Sequence, residues 1–547
     1  MSKDLEEPRS ATPESCVPAH PVESEARPSA LGMSRRELLL LGGKGALGAA
    51  AVSATAVATR KIPRSRVPGG VPRSPGQRAV GALETAAVVP AGPFKTAPQL
   101  VPPRLQVTES AAPVSAGLLM MTPSLLPTSR MLSDAQAVAQ GKGQMGVMIA
   151  DAKGEPVWFH RTGEMATNLQ VQRYRGEPVL TYWSGKVVNG IGYGTGYVLD
   201  TSYRRIGAIR GGNGLQVDLH ELTLTPQGTA LVSAYRVRPA DTSAIGGTKA
   251  GSVYEGVVQE IDVATGKVVF EWNSLDHVMV GESYVKAGKG PVDYFHLNSV
   301  ALWDDTSLII SARSTWAGYL VDRRTGAVIW RLGGKKSSFK IGKGANFEWQ
   351  HHIRRYGSDM VTVFDDGATP VEEPASRALV LEVDTSARTV ELVRAAVHPA
   401  RLLSDYEGSV QALSDGHLFV GWGTEPYSSE FDARGDLVCD YRFPTNVQSY
   451  RAFRYEWSGM PPTPPNFVVE PDEIGGYALY VSWNGATEVA LWQVLSGEAP
   501  GALEPVATVP RAGFETAVTV HPTGPYLTVA ALDAKGRRLG VAKTVKL

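Results

Sequence analysis

Histidine recurs at the start of apolar segments in three parts of this 547-residue chain, as His220, His296 and the pair His351–His352. An imidazole can act as a nucleophile or move protons near neutral pH, because its reference pKa is about 6.5. Arg313 ends the apolar segment that follows His296, and its planar guanidinium suits a tetrahedral oxyanion. These residue types indicate nucleophilic chemistry on an oxyanion.

A metal centre is an alternative interpretation, since several histidines with carboxylates nearby, such as Asp405 and Glu407, could bind zinc or iron. Arg313 argues against it, because a cation among metal ligands is costly. We therefore expect no metal and no cofactor. Neighbours in a strand point to opposite faces, so only one of His351 and His352 should face the site, and the residues alone leave the choice open.

Two short patterns repeat along the chain and would position these side chains. One is a hairpin made of an apolar strand, an Asp, a short turn and a second strand. Its copies start at Gly146, Gly196, Val257, Gly318, Leu379 and Ser428. The other is a polar head followed by two apolar strands. Its copies start at Asn168, His220, His296, Gln350 and Glu407, with an incomplete one at Tyr450.

Together the two patterns make a four-stranded blade, so the sequence predicts an all-β fold with a six-bladed β-propeller. The first hairpin and the last, incomplete copy would join into one blade, which closes the ring and removes open sheet edges. The innermost strands of a propeller line its channel, so their polar heads should converge at one end of the axis. An ordinary β-sandwich without radial symmetry is the alternative.

Six separated segments follow one another around these polar heads: VLTYWSG, GIGYGTGYVLDTSY, DLHELTLTPQGTALV, YFHLNSVALW, SAR at Arg313, and FEWQHHIR. In this order they resemble the arylsulfotransferase (ASST) family, of the exported type that needs no activated nucleotide sulfate. The similarity covers roughly residues 146–444. It implies transfer of a sulfuryl group from a phenolic sulfate ester to a second phenol, with an aryl sulfate donor and a phenolic acceptor as small-molecule partners.

The resemblance also implies roles for individual residues. His351 would be the nucleophile that attacks sulfur and is transiently sulfated. The remaining matched positions would bind and polarise the sulfate and handle protons; they are His220, His296, Asn298 and Arg313.

The chemistry is compatible with these roles. By analogy with phosphoryl transfer, sulfuryl transfer has a loose transition state, so positioning and N–H donors around the oxygens should supply most of the catalysis. The phenolate leaving group has a pKa near 10, and a second histidine acting as general acid would help it depart. One covalent intermediate predicts ping-pong kinetics. A non-catalytic propeller that binds a ligand or a surface partner, and a metal-dependent hydrolase, stay open as alternatives.

The N-terminus predicts export. Ser34-Arg35-Arg36 precedes a mild apolar run, and Ala56-Val57-Ala58 offers small residues for cleavage, so residues 1–58 resemble a twin-arginine signal peptide. We expect the twin-arginine machinery to deliver the protein to the periplasm or the cell exterior, with no stable membrane span in the mature form. The Pro- and Ala-rich residues 59–112 are predicted to be a disordered linker.

The expected domains are the propeller at residues 113–459, a Pro-rich linker at 460–466 and a fibronectin III/Ig-like β-sandwich at 467–547. In that sandwich Trp483 would be a core residue and Tyr526 a corner residue. Lys and Arg together number 54, as do Asp and Glu, so charge gives no reason to expect a nucleic-acid partner. Cys16 lies in the leader, which leaves Cys439 without a partner for an intramolecular disulfide.

Overall fold

The computed structural model describes residues 87–88, 93–109, 113–125, 132–472 and 475–547. The predicted signal peptide at 1–58, with Cys16, lies outside the described residues. The described chain is almost entirely β-structure, with one short helix, α1 Asp134–Ala139, and 3₁₀ turns at Ser243–Ile245, Ser274–Asp276, Val280–Glu282 and Arg313–Thr315. No helix in the described ranges is long and apolar enough to cross a membrane. The all-β prediction is confirmed.

The first nineteen strands run in chain order as β1 Ala87–Val88, β2 Gln106–Glu109, β3 Leu118–Leu125, β4 Val147–Ala150, β5 Pro156–His160, β6 Met165–Tyr174, β7 Glu177–Val188, β8 Ile191–Leu199, β9 Arg205–Ile209, β10 Leu222–Leu224, β11 Thr229–Ala240, β12 Gly251–Asp262, β13 Val268–Asn273, β14 Leu297–Leu302, β15 Ser307–Ala312, β16 Ala317–Asp322, β17 Val328–Gly333, β18 Lys340–Ile341 and β19 His351–Tyr356.

The remaining strands are β20 Met360–Asp365, β21 Arg377–Asp384, β22 Thr389–Ala396, β23 Ser409–Ala412, β24 Leu418–Gly421, β25 Tyr427–Phe431, β26 Leu437–Arg442, β27 Val447–Tyr455, β28 Asn466–Pro471, β29 Tyr477–Ser482, β30 Leu491–Ala499, β31 Ala502–Pro510, β32 Glu515–Val520, β33 Tyr526–Leu532, β34 Arg538–Val541 and β35 Val545–Lys546.

Six sheets hold the repeated patterns, and each contains four antiparallel strands in meander order. Five of them are β6–β9, β10–β13, β14–β17, β19–β22 and β23–β26; β18 is added beside β22, and β2 beside β26. The sixth is β27-β3-β4-β5. Each sheet contacts the next through its first strands, and β27 of the last sheet contacts β6 of the first.

Side-chain hydrogen bonds fix the hairpin turns. In the turn between β12 and β13, the carboxylate of Asp262 accepts hydrogen bonds from the backbone N–H and the hydroxyl of Thr265, and Gly266 follows with φ of 71°. Asp322 accepts the corresponding bonds from Thr325 in the turn between β16 and β17. Asp, Thr and Gly are favoured here because the first two cap the turn and glycine tolerates positive φ.

The last sheet joins both ends of the repeated region in a way that the sequence only partly predicts. The hairpin β4–β5 and the incomplete copy in β27 were expected to join into one blade. They lie in one sheet, with β3 between them, which pairs with β27 through Leu119↔Arg454 and with β4 through Leu119↔Ala150. Three strands therefore come from the start of the region and one from its end.

Residues 460–547, together with β1 from Ala87–Val88, form two further sheets that face a common core. Their strand orders are β1-β32-β29-β28 and β31-β30-β33-β34, with β35 beside β33. The core between them includes Leu479, Trp492 and Val529. Trp483 packs in this core, and its indole N–H donates to the carbonyl of Thr463. Tyr526 is the first residue of β33 and is half-buried.

Part of the segment predicted to be a disordered linker is ordered. Residues 93–109 include β2, and Phe94 stacks on Phe514 with ring centroids 4.3 Å apart. Leu105 and Val107 pack against the core of the last two repeat sheets. The Pro- and Ala-rich composition predicted disorder because the segment has few large apolar side chains. Those few are nevertheless enough to anchor it to the fold.

Candidate active site

One cavity of about 560 Å³ gathers side chains from several sheets. His220 precedes β10, His296 precedes β14, and His351 begins β19. Arg313 follows β15, and Tyr450 lies within β27. Each of these strands is the first or second in the meander of its sheet, so residues far apart in the chain meet at one place.

An aspartate holds one nitrogen of each histidine. Nδ1 of His220 lies 2.5 Å from Oδ2 of Asp218, and Nδ1 of His296 lies 2.5 Å from Oδ2 of Asp293. The corresponding distance between His351 and Asp366 is 2.8 Å. Because a carboxylate accepts at Nδ1, each ring is oriented with its proton there, which leaves Nε2 for the cavity.

His351 is set up as a neutral imidazole. The backbone N–H of Glu407 donates to its Nε2 at 3.3 Å, so this nitrogen carries a lone pair. Burial and the charge of Arg313 hold the pKa of His351 well below its usual value. Burial raises the pKa of the Asp366 carboxyl well above its usual value, although the charge of Arg313 opposes this shift. Nε2 is therefore available for attack without loss of a proton.

The guanidinium of Arg313 is fixed at the cavity wall. Its Nη2 donates to the carbonyls of Ala368 at 3.2 Å and Asp405 at 3.1 Å, and its charge lies 4.8 Å from the ring centroid of Trp349. Trp316 packs edgewise against Trp349, 5.2 Å away. Nε of Arg313 is buried and has no hydrogen-bond partner among the described residues. A donor thus held needs little reorganisation to bind an oxyanion.

Two predicted positions lie outside the cavity. The side chain of Asn298 is buried behind it, where Nδ2 donates to the carbonyl of Gln350 at 2.7 Å, so Asn298 supports the residue before His351. His352 points elsewhere, and its Nδ1 accepts from the backbone N–H of Val410 at 3.3 Å. Of the two adjacent histidines, His351 is the one that shares a cavity with Arg313.

The aromatic residues that flank the sequence motifs are mostly structural. Tyr294 and Phe295 are buried in a hydrophobic core, whereas Trp316 and Trp349 support Arg313. Tyr406 is the member of this group that lines the cavity.

Sequence reasoning missed Tyr450. Its ring meets that of His220 edge-on at 5.8 Å, and its hydroxyl is buried without a hydrogen-bond partner in the described part of the chain. Burial raises the pKa of Tyr450 well above its usual value, so the phenol keeps its proton as a donor. The sequence pattern pointed to Tyr450 only weakly, because Tyr450 opens the one incomplete repeat. The three aspartates were also missed, although Asp218 and Asp293 come just before their histidines.

The same geometry could accommodate a metal ion. One ring nitrogen from each of His220, His296 and His351 lies within 4.8 Å of the other two. A tetrahedral zinc with nitrogen ligands at about 2.0–2.1 Å needs these atoms roughly 3.3 Å apart. Ring nitrogens as far apart as 4.8 Å would therefore have to move closer together to bind it.

A family model described as Arylsulfotransferase (ASST) matches residues 170–444. The chain belongs to the arylsulfotransferase family. The match spans His220, His296, Arg313 and His351, while Tyr450 lies just beyond it. Membership supports an arylsulfotransferase-like enzyme at the level of the family.

A search of curated proteins finds no match to this arylsulfotransferase family member. Among solved structures, a protein of unknown function from Bacteroides caccae is 10% identical over 62% of this chain and 98% of its own, with a TM-score of 0.37. Virginiamycin B lyase from Staphylococcus aureus is 10% identical over 70% and 96%, with a TM-score of 0.32. The extracellular domain of a putative hybrid two-component system from B. thetaiotaomicron is 12% identical over 81% and 57%, with a TM-score of 0.33.

Proposed function

We propose that this protein transfers a sulfuryl group from an aryl sulfate to a phenol through a sulfated His351. One observation carries the proposal: three histidines from different sheets, each held at Nδ1 by an aspartate, share a cavity with a fixed arginine. Family membership supports sulfotransferase chemistry for this cavity.

In the first half-reaction, Nε2 of His351 attacks sulfur, an N–S bond forms, and the S–O bond to the aryl group breaks. Arg313 and the hydroxyl of Tyr450 donate to the sulfuryl oxygens. The phenolate leaves with a proton from His220. Burial raises the pKa of Asp218, but the contact with His220 and hydrogen bonds from backbone N–H groups lower it by more, so Asp218 is ionised beside His220.

In the second half-reaction the acceptor phenol occupies the place of the departed phenol. His220, now neutral, removes its proton, the phenolate oxygen attacks sulfur, and the N–S bond breaks to restore His351. No water is consumed. The cavity of about 560 Å³ is large enough to hold a ring beside the sulfuryl group.

We propose that the six sheets are the blades of a β-propeller, with β27 and β3–β5 forming the closing blade. The cyclic order of contacts between neighbouring sheets supports this arrangement. The two sheets of residues 460–547 would be a fibronectin III-like sandwich. Residues 1–58 would direct export by the twin-arginine pathway.

The proposal is tested with 4-nitrophenyl sulfate in the presence and absence of phenol. We expect acceptor-dependent release of nitrophenol, ping-pong kinetics, and a mass increase of one SO₃ group on a peptide containing His351 when the acceptor is omitted. His351→Ala should abolish all three. His398→Ala is the matched control, because His398 is also buried against an aspartate, Asp440, but outside the cavity. Folded protein with no release for any acceptor would instead support a ligand-binding role.

A metal-dependent hydrolase is the second candidate, favoured by the spacing of the three histidine nitrogens. Aspartates at the far ring nitrogens are also common around zinc ligands. Metal analysis of the purified protein and assay after chelation separate the two mechanisms. The sulfohistidine route predicts full activity after chelation, whereas loss of activity that zinc restores would support the metal.

A further inference from the structure

A second, smaller cavity of about 270 Å³ lies farther along the inner strands. Its walls come from β6, β19, β20, β23 and β27, and it shares no lining residue with the first cavity. His351 lines the first cavity and His352 the second. The two adjacent histidines thus serve different spaces.

A buried charge cluster adjoins the second cavity. Glu221 accepts hydrogen bonds from Arg354 at 2.5 Å and from Arg451 at 3.2 Å, so one carboxylate faces two guanidinium groups. Arg354 also lines the second cavity, and none of the described residues that line it is acidic. Arg355 is there as well, but its guanidinium donates to carbonyls of the neighbouring turns. The excess of positive charge beside the second cavity favours binding of an anion there.

Two neutral donors accompany the charge. Because Nδ1 of His352 accepts from the backbone N–H of Val410, the ring proton is on Nε2. Nε2 of Gln170 is buried and makes no hydrogen bond to any described residue, although Gln170 is only 8% exposed. An unsatisfied buried donor costs free energy that an oxyanion would recover.

The rest of the wall is largely aromatic. Phe453, Tyr455 and Tyr356 line the cavity, and the rings of His352 and Phe453 lie 5.5 Å apart. A cavity of this size exceeds the needs of an inorganic anion, and its aromatic faces suit a flat ring.

We propose that this cavity is a second binding site, for a small aromatic oxyanion whose charged group meets Arg354, His352 and Gln170. Its ring packs against Phe453 and Tyr455. The site requires no sulfuryl transfer, so it stands independently of the reaction at His351.

Benzenesulfonate is a suitable probe, because its sulfur is bonded to carbon and cannot be transferred. Isothermal titration of Arg313→Ala, which weakens anion binding in the first cavity, should still give one equivalent bound. Adding Gln170→Leu to this variant should weaken that binding by about tenfold or more, since a hydrogen bond to a charged group is lost. Inorganic sulfate should bind more weakly than benzenesulfonate.

Ala412→Trp is the second variant, because it fills the cavity without removing a charge. It should abolish the equivalent that remains in Arg313→Ala, and circular dichroism checks that each variant folds. The proposal is overturned if Arg313→Ala binds no benzenesulfonate, if Ala412→Trp in that background binds it undiminished, or if sulfate and benzenesulfonate bind equally well.

Discussion

At the scale of single residues, the aspartates define what the histidines can do. Each occupies Nδ1, which fixes the ring and directs Nε2 to the cavity. The three rings nevertheless differ in electrostatic surroundings. His351 is the most deeply buried and is near Arg313, which favours its neutral form, whereas His220 is paired with a carboxylate that is readily ionised. These different surroundings favour His351 as the nucleophile and His220 as the proton carrier.

Tyr450→Phe tests the unpredicted donor. Removing the hydroxyl should lower kcat/KM for the aryl sulfate on the order of 10²-fold, as is typical for a donor to an oxyanion, without loss of stability. Steady-state kinetics with 4-nitrophenyl sulfate measures this. Tyr319→Phe is the control, since its buried hydroxyl already bonds to Thr315. Equal rates for Tyr450→Phe and the wild type would remove Tyr450 from the mechanism.

The pKa of His351 predicts an unusual pH profile. Because burial and the charge of Arg313 lower this pKa, the imidazole stays neutral as pH falls through 6.5, and kcat/KM for the donor should begin to fall only well below that pH. Arg313→Gln removes a positive charge beside the ring, so the acidic limb should move toward higher pH even though the rate is lower. A wild-type limb at pH 6.5 would contradict this account.

The sequence predicts which residue types meet but not all of their roles. His220, His296 and His351 were found because each lies in the polar head of a repeat, and Arg313 because it ends the apolar segment after His296. Asn298 was placed with them, yet its side chain supports the backbone of Gln350. The partner of His351 could not be found by spacing, since Asp366 comes from the end of the next strand and meets it only through the register of β19 and β20.

At the scale of elements, bulges redirect the side chains of the first strand in several of the six sheets. Register shifts occur between Leu297 and Ser299 in β14 and between His351 and Arg354 in β19. The strands β6 and β27 carry similar shifts. His296 and His352 have φ of 53°, which breaks the strand alternation at this end. Simple alternation therefore could not assign faces to these residues, and bulges are common beside active sites for this reason.

The cluster around Glu221 stabilises the inner strands. Burial raises the pKa of Glu221, but Arg354 and Arg451 more than offset this, so the carboxylate is ionised. Glu221→Ala would leave two buried guanidinium groups without their acceptor and should lower the free energy of unfolding by about 3–5 kcal/mol. Urea unfolding followed by tryptophan fluorescence measures it.

Glu470→Ala is the control for that variant, because Glu470 forms an exposed pair with Lys95 at 2.8 Å. Its loss should change stability very little, because an exposed ion pair is screened by solvent. If Glu221→Ala were no more destabilising than Glu470→Ala, the buried cluster would not be a source of stability.

At the scale of the whole molecule, the sheet that joins both ends of the repeated region shows where sequence analysis stops. The repeats supplied β4, β5 and β27, but not β3, whose residues include Pro123. Proline argues against an inner strand because it donates no hydrogen bond. Here Pro123 lies opposite Ser449 near the end of β3, and its carbonyl accepts from Gly146.

The C-terminal sheets are attached to this same sheet by a few specific bonds. Asn484 accepts from the backbone N–H of Phe159 and donates to its carbonyl, both at 3.0 Å. The hydroxyl of Tyr203 donates to the carbonyl of Gly485 at 2.7 Å. The bonds to Phe159 involve β5, the strand of its sheet farthest from β27, so they lie at the opposite edge of that sheet from Tyr450. Tyr203 belongs to the neighbouring sheet, in the turn between β8 and β9.

Asn484→Ala should therefore lower the stability of the C-terminal sheets without changing the enzymatic activity. Losing both bonds to Phe159 should cost about 1–3 kcal/mol at the contact, so scanning calorimetry should resolve an earlier transition for the C-terminal sheets. Turnover of 4-nitrophenyl sulfate should be unchanged, because Asn484 does not line the cavity. Asn213→Ala is the control, since its single side-chain bond is to the partly exposed Glu271. A single unshifted transition, or lost turnover, would mean that the C-terminal sheets are integral to the catalytic fold.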